Sequence, residues 1–158
     1  MAVLTGTLTI NAAFLADIKE DNRRLRELLE AAARDATFSL CGEIIPRERV
    51  ELYHAVRDQL ALHFTLEDAF GYFHDAIEDN PRLNSAAEKL HSQHESLFRE
   101  MCVIVDASES ILYGEQDAIA VQTLLRNFVH FYIRLAEHEH SENELVLAAF
   151  DDDIGVGD

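Results

Sequence analysis

Four long segments of this chain place apolar residues at alternating three- and four-residue intervals, a period that belongs to helices packed along their lengths. The first stripe reads Phe14, Ile18, Asn22, Leu25, Leu29, Ala32, and the second Tyr53, Val56, Leu60, His63, Glu67, Phe70, His74, Ile77. The third reads Leu83, Ala87, Leu90, His94, Leu97, Met101, Ile104. The fourth reads Val121, Leu124, Phe128, Phe131, Leu135, His138, Glu142, Leu145, Ala149. Turn residues separate them. Asn11 is a fitting N-cap for a first helix reaching Arg34, and Pro46 suits the first turn of a second that ends before Asn80-Pro81. A third helix is expected over Leu83 to Leu112, stopped at Gly114, and a fourth from Gln116 to Phe150. Short links put neighbouring helices antiparallel, so the expected fold is all-α, an up-down-up-down four-helix bundle. It occupies residues 11–150, with an extended arm over 1–10 and an acidic tail over 151–158.

The composition agrees with few turns and long helices: 6 Gly and 2 Pro in 158 residues, too few for an all-β chain. The formal net charge of −17 repels phosphate backbones and anionic headgroups, so neither nucleic acid nor a membrane surface is an expected partner. The first basic residue is Lys19, which leaves no charged leader region, and no apolar run approaches bilayer length. The expected location is cytoplasmic. Cys41 and Cys102 have no neighbour at a zinc-site spacing, and Cys102 reads as a small core filler.

The chemistry lies where the stripes turn polar, at Asn22, His63, Glu67, His74, His94, His138 and Glu142. A buried, unpaired carboxylate costs several kcal/mol, so Glu67 and Glu142 each need something positive to face. Residues four apart share one side of a helix, so His63 with Glu67 and His138 with Glu142 are two-pronged clamps. His94 joins from a third helix. Imidazoles and carboxylates together are the donor set of non-heme iron. A lone inward histidine is ordinarily a satisfied core residue; two such pairs plus a third histidine fit that account poorly, although a metal-free His–Glu network stays open. Structural zinc fits less well, since no cysteine joins the set. His91 lies about a sixth of a turn from stacking on His94 and could reach the edge of the site. His74 is about 10 Å beyond Glu67 along its helix and reads as a core or access-path residue. His54, His130 and His140 fall off the stripes and are expected in solvent.

These motifs resemble hemerythrin and the bacterial hemerythrin-like, or HHE cation-binding, domains over nearly the whole chain. LALHFTLEDAF is similar to the family's His-x-x-x-Glu-Glu with a following aromatic, LAEHEHSENELVL to its His-x-x-x-Glu-Asn, and KLHSQHESLF to its single-histidine third helix. The resemblance implies His63, Glu67, His94, His138 and Glu142 as iron ligands, with Glu67 and Glu142 bridging. It implies a di-iron or mono-iron centre whose small ligand is a diatomic gas or peroxide. One position departs: DIKEDNRRLRELL carries Asn22 where the family has a histidine. There one iron could have an open position filled by water, be held by His91 instead, or be absent; an open position favours reactivity with O₂, peroxide or NO.

Three functions follow. The first is a carrier or sensor of O₂, NO, redox state or iron. The second is an enzyme, a peroxidase- or catalase-like di-iron protein or a ferritin-like oxidase. Glu51-x-x-His54 and Glu88-x-x-His91 match the ferritin-type motif but fall off the inward stripes. The third is a metal-free interaction bundle, which Asn22 favours.

Overall fold

A computed structural model of the chain describes residues 20–36, 44–70, 80–114 and 116–155. Among these residues there are four helices and no strand: α1 (20–36), α2 (Arg47–Phe70), α3 (Pro81–Tyr113) and α4 (Ala118–Gly155). The expected N-terminal arm, Phe14, Ile18, Cys41, His74 and Ile77 lie outside the described residues.

The helix ends follow from local chemistry. Asn80 caps α3, its side chain accepting from the Arg82 amide at 3.1 Å, and Pro81 opens the first turn, where its missing N–H costs nothing. Asp117 does the same for α4, accepting from the Ile119 amide at 2.9 Å, so that helix starts two residues after the expected Gln116. It also continues to Gly155, five residues past the expected Phe150 and into the acidic tail. Gly114 ends α3 in an extended conformation, φ −106°, so the demand for glycine there is one of space. A Cβ at this position would stand 2.8 Å from the Ser110 carbonyl oxygen.

Cross-helix pairs fix how the helices run. Asp21 meets His63 and Gln59, while Asp35 meets Arg49. Between α2 and α3, His54 meets Glu109 and Asp68 meets His94. Between α3 and α4, Glu100 meets Arg134 and His94 meets Glu142. In each case the numbers climb on one helix as they fall on the other, the order given by antiparallel neighbours. Gln116, just before α4, accepts from the Ile45 amide at 2.6 Å just before α2, which ties the starts of those two helices together.

Apart from Phe70, whose side chain lies outside the described residues, the stripe residues of α2, α3 and α4 within the described segments face the interior. Tyr53, Val56, Leu60, Leu97, Met101, Ile104, Leu124, Phe128, Phe131 and Leu135 belong to one buried apolar cluster, in which the Tyr53 and Phe128 rings stack at 5.0 Å. Leu90 and Leu145 form a smaller cluster, with Leu83 and Ala87 packed against it. His94 falls between Leu90 and Leu97, and His138 with Glu142 between Leu135 and Leu145, so the polar residues form a layer between the two apolar clusters. Cys102 is half-buried rather than a core filler, because Met101 takes the inward position beside it. No helix among the described residues is long and apolar enough to cross a membrane.

Candidate metal centre

The layer is assembled from both His-x-x-x-Glu clamps and the lone histidine of α3. One atom each of Glu67, His94, His138 and Glu142 lies within 4.8 Å of the others. His138 Nε2 is 3.0 Å from Glu142 Oε1, and His94 Nε2 is 3.3 Å from the same oxygen. The Glu67 carboxylate is divided, with Oε2 3.3 Å from His94 Nε2 and Oε1 3.0 Å from His63 Nε2. His63 thus adjoins the group through Glu67. Four of the five expected donors are brought together and the fifth stands beside them.

Three of these buried atoms, His63 Nε2, Glu67 Oε2 and His138 Nε2, make no hydrogen bond despite their close neighbours. Unsatisfied polar atoms are rare in protein interiors, and three in one layer need a common partner. The spacings suit a cation: metal–donor bonds of about 2.1 Å at right angles set adjacent donors about 3.0 Å apart.

The far side of each ring is also held. His63 Nδ1 donates to Asp21 Oδ2 at 2.7 Å, His94 Nδ1 to Asp68 Oδ1 at 3.1 Å, and His138 Nδ1 to Gln93 Oε1 at 2.9 Å. A carboxylate or amide oxygen only accepts, so each Nδ1 carries a proton and each Nε2 is the nitrogen turned into the layer. Phe64 walls the layer: its ring stacks on His94 at 4.1 Å and meets His138 edge-on at 5.9 Å.

The charges are strongly coupled. Burial works against a charge on His63, but the Asp21 and Glu67 carboxylates outweigh it and raise its pKa to about 10. Burial likewise opposes charge on His94, and Glu142, Glu67 and Asp68 overcome it to raise the pKa. For Glu142, burial favours the neutral acid, yet the His138 and His94 rings against its carboxylate hold its pKa well below the usual carboxylate range. Half-buried Glu139 has its pKa raised by burial; His63 opposes that, and Glu142 and Glu67 add to it. Without a cation, protons hold the layer together.

The remaining expected residues fall elsewhere. On α1 the deeply buried position beside the layer is Asp21, 6 % exposed, while Asn22 is half-buried. At about 100° per residue, 21 and 22 straddle the Leu25–Leu29–Ala32 stripe at nearly equal angles, and Asp21 takes the flank facing α2. His91 is turned to solvent and its Nδ1 lies 2.9 Å from Asp68 Oδ1, outside the buried group. His130 and His140 are exposed, as expected; His54 is instead half-buried against Glu109 at 2.5 Å. Glu51 and Glu88 are exposed, so neither ferritin-type motif enters the layer. Asp21, Asp68, Gln93 and Phe64 were missed by the stripes because each sits one residue beside a stripe position.

Among known families, the model of the hemerythrin HHE cation-binding domain matches residues 13–150. No curated protein and no solved structure matches the chain.

Proposed function

Because the chain belongs to the hemerythrin HHE cation-binding domain family, we propose that it holds non-heme iron in the polar layer, as a two-ion centre. The ligands are His63, Glu67, His94, His138 and Glu142. The observation carrying this reading is the divided Glu67 carboxylate, one oxygen toward His63 and the other toward His94. Such a disposition suits a carboxylate between two cations, one on the His63 side and one on the side of His94, His138 and Glu142.

Iron held there would supply one-electron chemistry and a position for O₂, NO or peroxide. The chain's own residues set the terms of that chemistry. Asp21, Asp68 and Gln93 hold the three rings so that Nε2 faces inward, and Phe64 with the flanking apolar clusters keeps bulk water from the layer. By the resemblance to the family Asn22 would replace an imidazole, which would leave the α1 side with one fewer strong donor and favour binding of an exogenous small molecule. The function that fits is a carrier or sensor of a diatomic gas or peroxide.

Metal analysis of protein expressed with ample iron, together with ultraviolet–visible spectra taken anaerobically, in air and with peroxide, tests this. About two irons per chain and an oxygen-dependent band that changes in Asn22→His are expected. A chain that acquires no transition metal in stoichiometric amount refutes the reading. Sustained peroxide turnover, lost in His63→Ala, would move the function from carrier or sensor to enzyme.

A further inference from the structure

Outside the buried layer, a second group of donors meets at the surface. Asp68 Oδ1 is shared by two imidazoles, His91 Nδ1 at 2.9 Å and His94 Nδ1 at 3.1 Å. Asp68 and His91 are exposed, and His94 is the buried ring that also faces the layer. All three line an open cavity of about 440 Å³ between α2 and α3, whose walls include Ala61, Phe64 and Phe98. One ring, His94, therefore has Nδ1 at the cavity and Nε2 at the buried carboxylates.

An exposed His–Asp pair contributes little to stability, so a cation can readily displace the contact. A carboxylate with an imidazole suits a divalent transition ion, and two protein donors without burial make a weak, fast-exchanging site. The net charge of −17 draws cations toward the molecule from any side; the cavity gives them a defined place to dwell. Asp68 also holds His94, so an ion on Asp68 sits against the ring that faces the buried layer.

We propose that Asp68 and His91 form a second, labile divalent-cation site at the mouth of this cavity, which captures metal and passes it to the buried layer. The hand-over half rests on the reading of that layer as a metal centre; the capture half does not.

The test uses metal-free full-length protein, cobalt(II) as a paramagnetic probe and isotope-labelled histidine. In His138→Ala/Glu142→Ala, which removes two buried donors, cobalt is expected to broaden the His91 ring resonances reversibly, an effect absent from the same protein carrying Asp68→Ala. In the otherwise native chain, His91→Ala is expected to slow cobalt uptake about threefold to tenfold at limiting metal while leaving the final stoichiometry unchanged. No broadening of His91 in the double variant overturns the capture site. Wild-type uptake rates in His91→Ala overturn the hand-over. If the wild-type layer takes up no cobalt, the hand-over falls with the metal-centre reading, and the broadening experiment alone decides the capture site.

Discussion

Replacing Asp21 with alanine removes the carboxylate that accepts from His63 Nδ1 at 2.7 Å and from Gln59 Nε2 at 2.6 Å. His63 and Asp21 side chains are each 5 % exposed, so solvent can replace neither bond. Taking one partner from a buried charged pair typically costs about 3–5 kcal/mol, and that is the loss expected for the metal-free protein. Losing the group that orients a ligating histidine usually weakens metal binding by about 10- to 100-fold, or about 1.4–2.7 kcal/mol. The stability loss has a defined pH dependence. The pKa of His63 is raised from its ordinary 6.5 to about 10, so its contribution is complete below 6.5 and is lost as pH rises through 10. The gap between wild type and Asp21→Ala in urea unfolding should therefore be largest near about pH 6 and shrink steadily toward about pH 10. Chelator competition measures the affinity change on the same samples. Asp21→Asn, which keeps the shape with a single accepting oxygen, should fall between the two. Equal unfolding midpoints and equal metal affinities for wild type and Asp21→Ala would show that Asp21 does not orient His63.

Metal loading should release protons, because the surrounding carboxylates raise the pKa of both His63 and His94 while a cation needs their Nε2 lone pairs. Affinity should accordingly rise with pH up to about 10, and pH-stat titration with a divalent ion that consumes no base would contradict this. Phe128→Ala empties a fully buried position stacked on Tyr53 and should cost about 3–5 kcal/mol in urea unfolding without changing metal stoichiometry. A change in stoichiometry would mean that the apolar cluster and the polar layer are not separable. Gly114→Ala forces a methyl against the Ser110 carbonyl oxygen at 2.8 Å and should destabilise by about 1–3 kcal/mol, read by the same unfolding curve. An unchanged midpoint would show that the end of α3 gives way freely.

Much of the bundle was legible because burial in α2, α3 and α4 follows one period, which each helix reports by itself. His63, His94, His138 and Glu142 are buried positions that interrupt that period, and Glu67 adjoins them. On α1 the same rule pointed to Asn22, although the buried position is Asp21. The Leu25–Leu29–Ala32 stripe is flanked almost symmetrically by both, and only the azimuth of α1 against α2 decides between them. That azimuth is a property of the pair of helices and leaves no trace in the pattern of one.

The same limit explains the residues around the rings. A stripe identifies side chains aimed at the centre of a bundle, but an imidazole held ready for a cation needs a second contact, behind it, from a neighbouring helix. Asp21 on α1 supplies that contact for His63 on α2, Asp68 on α2 for His94 on α3, and Gln93 on α3 for His138 on α4. In every case the supporting residue belongs to the preceding helix and sits beside a stripe position. The three contacts step through the bundle in one direction, each helix orienting the donor of the next. A substitution at one of these supports should therefore disturb a ring on the following helix before it disturbs its own.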